Sequence, residues 1–133
     1  MPQVDATVHE GFSQPITFTI KNSAGSAIDL STGNYPRIAL VVVHGTRSII
    51  YNTTDGSPKL VLSTQSGGTL GQIVFTPDGS ASTTNRTFQA GDNGIHRLNF
   101  RLFTSTTSGS ERGFGVPDGK YIYFRVLESS TAL

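Results

Sequence analysis

Apolar and polar residues alternate along several short segments of the chain. The alternation is clear over residues 4–8, 16–20 and 98–102. A period of two places successive side chains on opposite faces of a β-strand, so each of these segments is predicted to be a strand with one buried face. Residues 38–43 are apolar at every position, which is typical of a central strand.

Turn residues divide the rest of the chain into further short segments. Strands are predicted at 48–51, 59–62, 71–76 and 120–127, with a short edge segment at 27–30. The whole pattern gives roughly seven to nine strands with turn signals about every ten residues, as in an antiparallel β-sandwich. We therefore predict an all-β fold with little or no helix and a single domain over 1–133.

Two long polar segments separate the last three predicted strands. Residues 80–94 contain little apolar matter apart from Phe88 and are predicted to form a surface loop, with a possible short strand around Thr87. Residues 104–113 form a second polar loop. Loops of this length in a small domain often carry function, so both are candidate contact surfaces. Residues 1–4 and 129–133 are candidate arms that pair with a neighbour's sheet edge.

Composition narrows the classes of function. The formal net charge is +1 and 14% of residues are charged, which argues against binding to nucleic acid. The longest apolar run is too short to cross a bilayer, and residues 1–5 do not resemble a signal peptide, so neither a membrane nor export is expected. The chain has no cysteine, so its stability must come from packing alone.

No combination of residues indicates a catalytic, metal or cofactor site. Asp55, Asp78 and Asp118 each precede a glycine, a pair that is typical of turns. The histidines are far apart in sequence, and the nearest approach to a metal-binding pair, Asp92 with His96, lacks a third ligand. There is no Gly-x-Ser-x-Gly motif. We therefore expect a protein that is not an enzyme and has no cofactor.

Aromatic residues and one arginine are the candidate interface residues. Tyr121, Tyr123 and Arg125 alternate along the last predicted strand and so share a face. Tyrosine and arginine are enriched at protein interfaces, although ordinary cross-strand packing would explain the same pattern. Tyr35 and Phe114 lie in or near loops, where each would either contact a neighbour or cover an end of the core.

Three segments resemble a known family. They are residues 11–31, with Gly11-Phe12-Ser13-Gln14-Pro15 before a strand; 71–75; and 116–126, where a Pro-Asp-Gly turn precedes an aromatic strand. Together they cover about half of the chain. Their order resembles the immunoglobulin-like N-terminal domain of tailed-phage baseplate upper proteins and related virion modules.

The resemblance implies an immunoglobulin-like β-sandwich with a structural, non-catalytic role in a phage particle that is made in the cytoplasm of a bacterial host. Baseplate proteins continue into further domains, whereas this sequence ends at Leu133. It is in this respect more similar to a decoration or cement protein, which binds the major capsid protein and forms homo-oligomers in the assembly. A baseplate or tail component remains an alternative.

A carbohydrate-binding module is the alternative from a different class. Many β-sandwiches bind sugars through exposed aromatic side chains, and tryptophan is the usual residue. This chain has no tryptophan. Tyrosine would have to take that role, with four candidates: Tyr35, Tyr51, Tyr121 and Tyr123.

Overall fold

The computed structural model, which describes residues 5–21, 24–79, 86–88, 95–103 and 122–127, is built from β-strands. The helical structure in these residues is one 3₁₀ turn, Gly67–Thr69. The strands are β1 (Ala6–His9), β2 (Ile16–Thr19), β3 (Arg37–His44), β4 (Arg47–Asn52), β5 (Leu60–Leu62), β6 (Gln72–Phe75), β7 (Ile95–Phe103) and β8 (Ile122–Leu127).

The strands form two sheets. One has five strands in the order β1-β8-β7-β3-β4, and the other has three in the order β2-β6-β5. Neighbouring strands are antiparallel except β1 and β8, which are parallel. The all-β prediction and the predicted sandwich are confirmed, and β3 takes the interior position that its apolar sequence indicated.

The core lies between the two sheets. Leu40 at the middle of β3 is paired with Tyr51 on β4 and with Phe100 on β7, and all three side chains are buried. From the opposite sheet, Phe18 packs edge-on against Phe100 with ring centroids 5.2 Å apart. Burial of apolar surface of this kind is the main force that holds the sheets together.

Two glycines fix the ends of strands. Gly45 has a φ of 61° and begins the two-residue connection between β3 and β4, where a primed turn requires positive φ. Gly71 has a φ of 80°, and a Cβ there would lie 2.9 Å from the carbonyl oxygen of Ile20. A side chain at Gly71 would therefore collide with the backbone of Ile20, the residue directly after β2.

The short edge segment predicted at 27–30 does not form a strand. Its ladder is limited to an isolated bridge between Lys21 and Ala27. The side chain of Gln65 provides the alternative, because its Oε1 accepts the backbone N–H of Leu30 at 2.8 Å and that of Gly71 at 3.0 Å. The segment is thus anchored by the Gln65 side chain together with a backbone hydrogen bond from the N–H of Ile28 to the carbonyl of Ile20 at 3.0 Å.

The predicted surface loop at 80–94 is wrong for residues 87 and 88, which lie in the interior. Thr87 and Phe88 are fully buried, and residues 86–88 form no strand. The remainder of that loop, the loop at 104–113 and both candidate arms lie outside the described residues. Within the described part of the chain, no helix is long and apolar enough to cross a membrane.

Candidate functional site

The candidate contact surface is the side of the five-stranded sheet that points away from the core, called here the outer face. Its residues alternate with buried ones along each strand. Direct pairing places neighbours side by side: Val41 lies between Ile50 and Asn99, and Val43 lies beside Arg97. Arg97 is in turn paired with Tyr123.

Two of the predicted interface residues lie on this outer face. Arg125 is exposed and Tyr123 is half-buried, while Phe124 and Val126 between and after them are buried. The predicted division of β8 into two faces is therefore confirmed at these four positions. Asp5, the residue before β1, is hydrogen-bonded to β8, since its carboxylate accepts the N–H of Tyr123 at 2.8 Å.

The other candidates are placed differently. Tyr35 is half-buried and packs against the core, and its N–H donates to the carbonyl of Ser31 at 2.9 Å. Tyr35 therefore contributes part of its side chain to the core, and its role as an interface residue stays a prediction. Phe114 and Tyr121 lie outside the described residues.

The sequence interpretation missed several residues of the outer face. Arg97 and Arg101 on β7 are exposed, and so is Ile50 on β4, which is 58% exposed. The signal was present in the alternation of β7, where Arg97, Asn99 and Arg101 occupy the positions between buried residues. The pairing of β7 with β3 could not be read from that alternation, so the proximity of the arginines to Val41 and Val43 was not foreseen.

One corner of the outer face is ordered by a fourth arginine, Arg37. The guanidinium carbon of Arg37 lies 3.7 Å from the centroid of the Phe103 ring, and Nη1 donates to the side-chain oxygen of Asn52 at 3.0 Å. Contact of a guanidinium with an aromatic ring is favourable because of the ring's negative face. The buried Nε of Arg37 has no hydrogen-bond partner in the described structure.

A polar cluster closes one end of the core on the inner face of the same sheet. Thr87 is its centre: its hydroxyl lies 2.6 Å from the Tyr51 hydroxyl and accepts the N–H of Asp78 at 2.8 Å. Arg47 donates to the carbonyl oxygens of Arg86 and Thr87. These hydrogen bonds attach residues 86–88 to β4 and to Asp78.

Burial affects the acid–base behaviour of one member of this cluster. The pKa of the Tyr51 phenol is raised above its ordinary value, first because burial penalises the phenolate, while the hydrogen bond with Thr87 acts in the opposite direction. The hydroxyl is therefore held neutral. We interpret the cluster as structural, since each hydrogen bond in it satisfies a buried group of this chain.

Two histidines adjoin the polar cluster. The rings of His44 on β3 and His96 on β7 stack with centroids 4.0 Å apart, and both side chains are buried. Phe88 meets His96 edge-on at 5.5 Å. Ring nitrogens carry their lone pairs in the ring plane, so two stacked rings do not direct them at a common point.

No metal-binding group is formed around these histidines by the described residues. A search of them finds no set of three histidine, cysteine or acidic side chains close enough to hold a metal ion. Asp92, which the sequence placed nearest to His96, lies outside the described residues. Sequence spacing gave no indication that His44 and His96 meet, because they are brought together by the pairing of β3 with β7.

A groove of about 330 Å³ runs beside β5, at the free edge of the three-stranded sheet. Among the residues that the structure describes, no aromatic or charged side chain lines it. The lining residues are Thr32, Pro36, Thr53, Thr54, Pro58, Leu60, Val61 and Leu62.

Comparison with known proteins finds no relative of this chain. The chain matches no known family model, no curated protein and no solved structure. Its function must therefore be argued from the site itself.

Proposed function

We propose that the chain is a non-enzymatic structural protein of a tailed-phage virion, and that it decorates the capsid by binding the major capsid protein and neighbouring copies of itself. A position in the baseplate or tail is the second candidate. In either place the domain acts by binding, and the outer face of the five-stranded sheet is the surface it offers.

The strand order supports an immunoglobulin-like identity for the sandwich. In the variable-type immunoglobulin arrangement, one sheet contains strands B, E and D, and the other contains G, F, C and C′. The order β2-β6-β5 corresponds to the first set, and β8-β7-β3-β4 corresponds to the second. Fold alone does not define a function, so the argument for assembly rests on the outer face.

The observation that carries the proposal is the composition of the outer face. Val41 is directly paired with Ile50, Val43 lies on the same face two residues further along β3, and Tyr123 lies in the same cross-strand row as Val43. Interfaces between proteins combine an apolar centre with aromatic residues and arginine. A face with that composition on a rigid sheet is suited to a fixed contact with another subunit.

The carbohydrate alternative is weakened by the positions of its candidate tyrosines. Tyr51 is buried, with its hydroxyl bonded to Thr87, and Tyr35 packs against the core. The Tyr51 ring is therefore not presented to a sugar, and the Tyr35 ring is half-buried. The described lining of the groove beside β5 contains no aromatic residue, although stacking on an aromatic ring is the usual way in which sandwiches hold sugars.

The proposal is tested by quantitative mass spectrometry of particles purified from the phage that encodes the chain. We expect its copy number to be in simple proportion to that of the major capsid protein, which is the result for a decoration protein. A few copies per particle would overturn decoration in favour of the baseplate or tail. Complete absence from particles would overturn the virion proposal.

A glycan array on the same purified protein tests the remaining alternative. We expect no specific glycan signal. Binding that is lost on Tyr123→Ala, with the fold retained by circular dichroism, would contradict the assembly proposal and favour a sugar-binding module.

A further inference from the structure

Strand β4 lies at the edge of the five-stranded sheet, so one side of its backbone faces away from β3. Just after β4, the N–H of Thr53 donates to the carbonyl of Ile38 at 3.0 Å and continues the ladder between the two strands. Hydrogen-bonded positions alternate in an antiparallel pair, so the odd-numbered residues of β4 bond to β3. The N–H and carbonyl groups of Ser48, Ile50 and Asn52 therefore point to the free edge.

One end of this edge is closed by the chain itself. The N–H of Asn52 donates to the carboxylate of Asp55 at 3.0 Å, and the N–H of Asp55 donates to the carbonyl of Asn52 at 3.2 Å. Ser48 is exposed, and Ile50 is 58% exposed. In the described chain, the open part of the edge thus consists of the N–H and carbonyl groups of Ser48 and Ile50.

The other edge strands differ from β4. On β5, Val61 is exposed, but its backbone faces β6, because the carbonyl of Lys59 and the N–H of Ser63 on either side are bonded there. Leu60, which faces the free edge of β5, is fully buried. The exposed residues of the two remaining edge strands are polar: Thr7 and His9 on β1, and Thr17 and Thr19 on β2. Among the described edges, β4 thus combines open backbone groups with an exposed apolar side chain.

We infer that the chain pairs with a second copy of itself through β4, with the two strands antiparallel about a two-fold axis at Ile49. A second copy fits this edge because it presents as many donors as acceptors and so is its own complement. In this register Ser48 of each copy lies opposite Ile50 of the other, and all the open N–H and carbonyl groups are paired. Pairing centred on Ile50 would leave the groups of Ser48 unpaired, because Asn52 is already bonded to Asp55.

The side chains that meet about this axis are apolar. Ile49 lies opposite Ile49 of the second copy at a non-hydrogen-bonded position, where side chains approach most closely. On the outer face, Ile50 of the two copies are diagonal neighbours within reach of each other. Arg47, the charged residue of β4, lies opposite Tyr51 of the second copy, so like charges do not meet at the axis. The inference rests on the proposed assembly role and specifies how neighbouring copies contact each other.

Sedimentation velocity of the purified full chain tests the inference. We expect the natural protein to form a dimer. Ile50→Lys should raise the dissociation constant of the dimer at least about tenfold, because two lysines would be diagonal neighbours across the axis. Circular dichroism establishes that the variant is folded. A natural protein that stays monomeric as its concentration is raised would overturn the inference.

Val61→Lys is the matched control, since it adds the same charge at an exposed position on the other sheet. We expect its dissociation constant to stay within about threefold of that of the natural protein. An equimolar mixture of Ile50→Lys and Ile50→Glu should recover the dimer, because the diagonal pair is then of opposite charge. Equal loss in both lysine variants, or no recovery in the mixture, would contradict pairing through β4.

Disulfide formation tests the register, because the chain has no cysteine of its own. Residues 48 and 50 of the two copies are directly opposite, with Cα atoms about 5.5 Å apart, which is within the range for a disulfide. A mixture of Ser48→Cys and Ile50→Cys should therefore cross-link faster than either protein alone, in which the cysteines are diagonal at about 7–8 Å. Equal rates in the mixture and in the single variants would overturn the register.

Incorporation into particles separates failure of this inference from failure of the proposed function. If the natural protein is present in particles but monomeric in solution, the inference of pairing through β4 fails and the assembly role stands. If the natural protein is absent from particles, the assembly role fails, and the sedimentation and cross-linking results still decide whether two copies pair through β4.

Discussion

The two faces of the five-stranded sheet are built from alternate residues of the same strands but differ in burial and composition. On β7, Leu98, Phe100 and Leu102 are completely buried, whereas Arg97 and Arg101 between them are exposed. The inner face is constrained by packing, where each side chain must fit its neighbours. The outer face is less tightly constrained, since Arg97, Arg101 and Ile50 on it are exposed, although Ala39 and Phe103 on the same face are buried.

The largest expected effect is on the inner face. Phe100→Ala removes a ring that packs against Phe18 and leaves a cavity between the sheets. We expect it to lower the free energy of unfolding by about 3–5 kcal/mol. Urea titration followed by circular dichroism measures this loss.

Asn99→Ala, one residue earlier on the outer face, is the comparison for that variant. Its effect on the free energy of unfolding is expected to be within about 0.5 kcal/mol. Similar losses for the two substitutions would break the distinction between the faces.

An intermediate effect is expected in the polar cluster at the end of the inner face. Tyr51→Phe removes the hydrogen bond between the Tyr51 and Thr87 hydroxyls, which lie 2.6 Å apart. The Thr87 hydroxyl still accepts the N–H of Asp78, so we expect a loss of about 1 kcal/mol at neutral pH, measured by urea titration.

The same substitution also changes the dependence of stability on pH. The pKa of Tyr51 in the folded protein is raised above the value of 10.0 expected when unfolded, mainly by burial. The folded state therefore keeps the proton where the unfolded state loses it, and this stabilisation is full below pH 10.0 and lost as pH rises through the folded pKa.

Urea titrations below and above that pH measure the difference. We expect the natural protein to lose more stability on the alkaline side than the Tyr51→Phe variant does. An equal decline in both proteins would mean that ionisation of Tyr51 is not coupled to unfolding.

The smallest effect on stability is expected at Ile50. It is 58% exposed, and Ile50→Thr keeps a β-branched side chain in β4. We expect a change in unfolding free energy within about 0.5 kcal/mol but weaker incorporation into particles, measured by quantitative mass spectrometry.

Val61→Thr is the matched control for Ile50→Thr, since Val61 is 51% exposed on the three-stranded sheet. Incorporation should be unchanged in this variant. Equal loss of incorporation in the two variants would show that the outer face is not the surface used for assembly.

Most strands of this protein could be predicted because the alternation of apolar and polar residues that marks a strand is visible within a few consecutive residues. β1, β2, β3, β4, β6 and β7 all lie where apolar residues alternate or cluster, and turn residues separate them. The segment at 27–30 was predicted incorrectly because a distant side chain, Gln65, anchors it. Phe88 was assigned to the surface because a single apolar residue in a polar segment has no period.

The candidate site was predicted in part. Tyr123 and Arg125 alternate with buried residues along one strand, so their shared face followed from the sequence. Arg97 and Arg101 lie on β7, which pairs with β8, and Ile50 joins them because β3 pairs both with β4 and with β7, which is distant in the chain. Tyr35 was a candidate because it lies near a loop, but its contacts with the core are tertiary.

The sequence by itself determined the all-β class, the positions of most strands and the face on which each side chain of a strand lies, because a period of two is a property of the local backbone. The tertiary structure decided which strands are neighbours. Cross-strand neighbours depend on how the whole chain folds, and this pairing stacks His44 on His96 inside the sandwich. On the outside it brings the arginines of β7 and β8 together with the aliphatic residues of β3 and β4.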